Sequence, residues 1–159
     1  MKAKLDPKYM FLAVKKARQN LKNMRGGPFG ACIVKDGKVL AVAHNTVLTK
    51  DATCHAEINA IRIASRKTGN FDLSGSVIYS TTEPCPMCFC AIHWARIDVV
   101  AYGTSIGDAE RIGFNEMKIN NQRLKVLGKS RVRIFPGFML AECRKLFRDW
   151  SALPNKKIY

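Results

Sequence analysis

Apolar side chains recur at Met10, Val14, Ala17, Leu21 and Met24, three or four residues apart. That is the period of a helix laying one face on a core. Asp6-Pro7 ahead of it supplies an N-cap and a proline for the first helical position. The spacing predicts a helix as far as Met24, and Gly26-Gly27-Pro28-Phe29-Gly30 then opens a loop. Beyond it the pattern shortens. Residues 31–34 and 39–43 are unbroken apolar runs flanking Asp36-Gly37, a hairpin turn signal, and read as two antiparallel strands. The helical period returns over 55–67, with Ile58, Ile61 and Ala64 on one face, and stops at Thr68-Gly69-Asn70. A third strand over 76–80, a third helix from Pro86 to about Ala95 and a fourth strand over 97–102 follow. Residues 105–130 carry no clear period. Residues 131–135 alternate as a fifth strand, Pro136-Gly137 breaks it, and 138–150 read as a last amphipathic helix before a tail over 152–159.

Strands alternating with helices from residue 55 onward imply parallel pairing through helical crossovers, whereas the first two strands form a hairpin. The expectation is an α/β fold in three layers, α-β-α, around a mixed five-stranded sheet, with residues 1–159 as one domain. The apolar fraction of 47% suits a globular core, and no apolar run approaches the roughly 18 residues of a membrane span. The first residues lack the apolar stretch of a signal peptide, so the expected compartment is the cytoplasm and no membrane is an expected partner.

Six cysteines without an export signal fit a reducing compartment and metal ligation better than a disulfide framework. Only Cys85 and Cys88 have ligand spacing; Cys32, Cys54 and Cys90 read as small packing residues. The net charge of +15 is uneven. Residues 1–25 hold eight Lys/Arg against one acid, residues 26–110 seven against eight, and residues 111–159 twelve against three. The basic excess therefore lies in the flanks, as a solvated surface or as a periphery for nucleic acid.

The chemistry gathers at His55-Ala56-Glu57 and Glu83-Pro84-Cys85-Pro86-Met87-Cys88. Cysteines three apart at a helix start share one face, and the positive end of the helix favours thiolates. With His55 they make a three-ligand set for Zn²⁺, which leaves a fourth position for water, the mark of a catalytic zinc, with His44 and His93 as the other candidate ligands that the sequence holds. Zinc brings the pKa of such a water near neutrality, and Glu57 is the natural proton shuttle to a ring nitrogen and a leaving amine. Residues two apart in a helix point to nearly opposite faces, so His55 and Glu57 are expected at the first turn rather than inside the helix. H-x-E followed by P-C-x-x-C is the signature of zinc nucleobase deaminases.

On these motifs the chain resembles the cytidine-deaminase-like superfamily. Within it the chain is similar to the bacterial guanine deaminases. That likeness is carried by the Gly26–Ala31 loop, Ile92-His93-Trp94-Ala95-Arg96, Ile112-Gly113-Phe114 and the closing Asn155-Lys156-Lys157-Ile158-Tyr159. The resemblance implies a cytidine-deaminase-like fold, one zinc per subunit with a bound water, and hydrolysis of guanine to xanthine and ammonia. It implies that Phe29 and Trp94 wall or stack the purine, that Asn45 and Ala56 bind it, and that Glu116 stands where the family carries a catalytic aspartate. It also implies a homodimer in which a C-terminal segment, about 136–159, is exchanged so that Tyr159 closes the partner's site. Cys54 and Ala52 depart from the family's alanine and proline, and the loop from Asn45 to His55 is one residue short. The alternatives are a tRNA adenosine deaminase, for which the basic C-terminal third speaks, and a deaminase of guanosine, cytosine, a pterin or a triazine. A non-enzymatic reading, a nucleic-acid-binding module with a structural zinc, predicts a filled fourth coordination position.

Overall fold

A computed structural model describes residues 5–159. The reading of the first residues falls partly on 1–4, outside the described residues. Five strands form one sheet in the order β2-β1-β3-β4-β5. The strands β1 (Gly30–Lys35) and β2 (Lys38–His44) form the hairpin, and Asp36 and Gly37 turn it with φ of 49° and 73°. β1 also pairs antiparallel with β3 (Ser76–Thr82), while β4 (Val99–Thr104) and β5 (Arg133–Phe135) continue in parallel. The mixed sheet is as expected. What the alternation of elements did not give is that β1, not β2, sits beside β3.

Alternate residues of each strand feed opposite layers, the two-residue period of the pleat. Ile33, Ala43, Ile78 and Val100 face α3 (Ala56–Thr68) and α4 (Pro86–Trp94). Cys32, Val34, Tyr79 and Ala101 face α1 (Pro7–Ala17) and α7 (Leu140–Ser151). A third apolar cluster joins Phe114, Phe147 and Trp150 to Leu21, Phe29 and Tyr159 beyond the end of the sheet.

Asp6 caps α1 as its sequence implies, accepting from Lys8 N at 3.0 Å, with Pro7 in the first turn. The helix does not run to Met24, however. It ends at Ala17, and a four-residue α2 (Asn20–Asn23) follows, closed by Met24 at φ 52°. The break lets fully buried Asn20 donate to Gly27 O at 2.8 Å and Asn45 O at 2.7 Å. A tertiary demand for two hydrogen bonds thus overrides the apolar period. The unread stretch contains α5 (Ile106–Arg111) and α6 (Asn121–Leu127), both too short to show a period. Among the described residues no helix is long and apolar enough to cross a membrane.

Candidate metal centre and pocket

Both motifs lie at helix starts, beside the carboxyl ends of β3 and β4, where α/β sheets bind ligands. His55 is the N-cap of α3, with φ −65° and ψ 158°. It therefore stands before the helix, and the helical step that separates side chains two apart does not govern it. Glu57, in the first turn, can face the same point. Cys85 is likewise the N-cap of α4, at φ −62° and ψ 167°, and Cys88 lies three residues on. The ligand atoms of His55, Cys85 and Cys88 all lie within 4.8 Å of one another. His55 Nδ1 is 3.6 Å from Cys85 Sγ. A tetrahedral zinc with ordinary Zn–N and Zn–S bonds holds such a pair about 3.6 Å apart. One imidazole with two thiols is also the donor set that zinc prefers. The residues fit the ion.

The electrostatics suit it as well. A hydrogen bond from the Cys88 thiol, with His55 beside it, holds the Cys85 thiol down at about 4. Burial pushes Cys88 well up, so in the metal-free chain the two sulfurs share one thiolate. Burial works against a charged His55 ring, but the Cys85 hydrogen bond and the nearby negative charges outweigh it and raise the pKa. Burial raises Glu57 against the opposing pull of His55 and Ser80. Ser80 Oγ lies 2.6 Å from Glu57 Oε1 and 2.7 Å from Thr82 O. A hydroxyl has one proton and two lone pairs. When Glu57 is ionised, Ser80 donates to it; when Glu57 is protonated, Ser80 accepts from it and donates to Thr82 O. The carboxyl is thus partnered in both protonation states, as a shuttle requires.

A cavity of about 180 Å³ opens onto these groups, lined by Phe29, Asn45, His55, Glu57, Cys85, Phe114, Glu116 and Tyr159 among others. A void of about 150 Å³ holds a benzene ring, so this one is of single-heterocycle size. Phe29 stacks edge-on against Phe114, centroids 4.8 Å apart, and Phe114 against Tyr159 at 5.4 Å. Asn45 is buried; its Oδ1 accepts from Val47 N at 3.0 Å, which leaves the amide NH₂ for the cavity and Tyr159. Tyr159 Oη accepts from Gly27 N at 3.0 Å. Gly26 allows this packing, since a Cβ there would collide with the Asn45 amide. Burial, with the Cys85 charge, raises Glu116 to about 7.

Seven of the expected site residues thus line one cavity and Cys88 completes the cradle, while Trp94 and the Ala56 side chain lie elsewhere. Trp94 is not at the pocket. It ends α4, 73% exposed and against His93. Its helix, eight steps long after Pro86, carries it about 12 Å from the cysteine end. Ala56 points its methyl into the core beneath α3, fully buried, and only its backbone belongs to the first turn near the cavity. Within one chain Tyr159 lies over the cavity, its hydroxyl accepting from Gly27 N, with α7 packed on the sheet through Cys143.

Sequence reasoning missed Glu83, quoted only as part of a motif. This buried carboxylate accepts from Asn121 N at 2.8 Å and Ile106 N at 3.3 Å, the starts of α6 and α5. Asn121 Nδ2 also donates to Pro84 O at 2.6 Å. Glu83 therefore pins both ends of the segment carrying Phe114 and Glu116 beside Cys85. Its one sequence signal was an acid directly before Pro84-Cys85. Ser80 and Asn20 had none.

Residues 3–104 match the family model of the cytidine and deoxycytidylate deaminase zinc-binding region. The chain belongs to this family. Its members are zinc-dependent aminohydrolases, and the present deaminase is 42% identical over 135 residues to the guanine deaminase of Bacillus subtilis, covering 84% of this chain and 86% of that one. It is 32% identical over 151 residues to the tRNA-specific adenosine deaminase of Buchnera aphidicola, covering 94% and 96%. The solved structure of a guanine deaminase from Nitrosomonas europaea superposes with a TM-score of 0.82 at 26% identity, over 91% of this deaminase and 84% of that chain.

Proposed function

We propose that this deaminase hydrolyses guanine at C2, releasing ammonia and leaving xanthine. The observation that carries the proposal is the roof: Tyr159 lies over a cavity of one-heterocycle size, walled by Phe29 and Phe114, with two carboxyls beside the metal cradle. Relatedness to the Bacillus subtilis guanine deaminase supports the same reading.

His55, Cys85 and Cys88 would hold one zinc per chain, which when bound supplies a Lewis acid and a water of near-neutral pKa. Phe29 and Phe114 present ring edges and faces to a planar base, and the Asn45 amide donates to an acceptor on its edge. The first-turn N–H groups of α3, including that of Ala56, lack intrahelical carbonyl acceptors. Glu57 takes a proton from the attacking water and delivers it to the adjacent ring nitrogen. The C2–O bond forms as that nitrogen is protonated. Glu57 then takes the remaining proton from the new C2 hydroxyl and passes it to the exocyclic amine; the C2 carbonyl forms as the C2–N bond breaks, and ammonia leaves. Glu116, with a pKa near neutrality, can hold or return a proton on the amine side. The cysteine ligands need a reducing compartment, and the cytoplasm supplies one.

A homodimer with exchange of about residues 136–159 belongs to the same proposal. Gly137 and Met139, at φ 71° and 55°, are the hinge, and exchange would set Tyr159 over the partner's cavity through the same contacts. Exposed Trp94 would then meet the second copy. Light scattering at several concentrations tests it: a strict monomer with full activity overturns the exchange.

The deciding assay is ammonia release from guanine, guanosine, cytosine, adenine and a tRNA anticodon stem-loop. Turnover of guanine, abolished by zinc removal, is the expected result. Deamination of the stem-loop with guanine untouched would overturn the assignment in favour of tRNA adenosine.

A further inference from the structure

On the free edge of the sheet, away from the zinc pocket, a cleft of about 270 Å³ crosses β2. Lys16 reaches it from α1, Arg62 and Arg66 from α3, Lys50 from the loop after β2, and His44 and Asn59 complete its wall. Four cations line it and no carboxylate does. The basic cleft at the opposite edge differs. It includes Asp98 beside Arg96, and Arg96 is already paired with Asp72 at 2.7 Å.

Cations on an edge strand can simply discourage strand pairing. Here none of the four lies on β2 itself: three elements converge on it. Arg62 and Arg66 are also four apart on one helix, a like-charge pair that weakens an isolated helix. Three of the seven Lys/Arg in the otherwise balanced 26–110 region stand in this one cleft. The positive field is felt by His44: burial, and then the Lys16 and Arg25 charges, hold its pKa below the ordinary value despite the hydrogen bond at Asn45 O.

The cleft is wired to the substrate loop. Arg62 donates to Thr53 Oγ1 at 3.1 Å and Cys54 Sγ at 3.4 Å. Asn59 Nδ2 lies within 3.0–3.1 Å of His44 O, Thr46 Oγ1 and Cys54 O. Together they tie both ends of the loop that begins at Asn45 and delivers His55.

We propose that this cleft binds a phosphate-bearing anion through Lys16, Lys50, Arg62 and Arg66, and that the bound anion loosens the Asn45 loop by competing for Arg62. Guanidinium forks match phosphate oxygens in pairs, and lysines add point charge. The ligand is a free phosphate ester or the phosphodiester of an RNA strand.

Calorimetric titration of the zinc-loaded protein, without substrate, tests this with pyrophosphate, guanosine monophosphate and a short oligoribonucleotide as probes. At least one is expected to saturate a single site, and the one that does identifies the source. Binding is expected to weaken about tenfold or more in K16E/R66E, since each charge-assisted contact carries about that factor. K16Q/R66Q stands in if the reversal misfolds. K129E changes net charge at the opposite edge and is expected to leave binding intact. The saturating probe is expected to raise KM for the base in the parent and not in K16E/R66E. No saturable binding, or equal weakening by K129E, overturns the site; an unmoved KM overturns the coupling. Because binding is read without turnover, its failure is distinct from failure of the guanine assignment.

Discussion

His55, Glu57, Cys85 and Cys88 come from the first turns of two helices packed side by side on one face of the sheet. Phe114, Glu116 and Tyr159, across the same cavity, come from stretches without regular structure, between α5 and α6 and after α7. The cradle is held by burial: Ala56, Ala60, Cys88 and Ile92 are fully buried around it. The rim is held by the packing of Phe114 and Tyr159 on Phe147 and Trp150 and by a few long-range hydrogen bonds: Glu83 to two helix starts, Gly27 N to Tyr159 Oη, and a 3.5 Å contact from Asn115 N to Tyr159 O. Reaction type therefore rests on rigid elements, where a bond-making constellation needs precision. On the proposed function, substrate choice would rest on segments that can change without disturbing the metal cradle.

The two regions should fail differently when altered. Cys85→Ala is expected to abolish both zinc content and turnover on every substrate, measured by metal analysis and ammonia release; retained zinc would show that the cradle is not the metal site. Glu57→Gln should keep zinc and lower kcat by about 10²–10⁴-fold, the usual contribution of a positioned acid–base group. Deleting Ile158-Tyr159 should cost on the order of 10²-fold in kcat/KM through a misplaced base while zinc content stays intact. Loss of zinc on this deletion would erase the distinction between cradle and rim. Tyr159→Phe removes only the hydroxyl that accepts from Gly27 N, and should cost about 1 kcal/mol, roughly a factor of five.

The last test concerns pH. Glu116 is raised from an ordinary 4.5 to about 7 by burial, so the folded state favours its protonated form. Stability of the zinc-free protein should fall as pH rises from about 4.5 to about 7 and level off above. Glu116→Gln removes the buried charge. Its denaturation midpoint should match the parent's at low pH and exceed it at pH 8 by roughly 1–3 kcal/mol of stability. A constant offset across pH would place the rim carboxyl in solvent.

Much of this was legible in the order of residues, and the reasons are local. The Asp6-Pro7 cap, the Asp36-Gly37 turn and the stop at Gly69 use chemistry within a few residues, and each stands where it was expected. The His55-Ala56-Glu57 and Cys85–Cys88 spacings carry their geometry with them, because an N-cap residue and the first turn behind it share a side. The sequence alone therefore determined the layered fold class and the grouping of His55, Cys85 and Cys88 as a candidate metal site with Glu57 beside it. Tertiary structure decided the rest. It broke the first helix so that Asn20 could hold Asn45 and Gly27, and it paired β1 rather than β2 with β3. It made Glu83 the tie between the cradle and Glu116, set Trp94 on the surface, and brought Tyr159 back to Gly27 across 132 positions. Contacts between residues so far apart leave no period or spacing to read. They exist only once the sheet and its two helical layers have put the separate segments within hydrogen-bond reach.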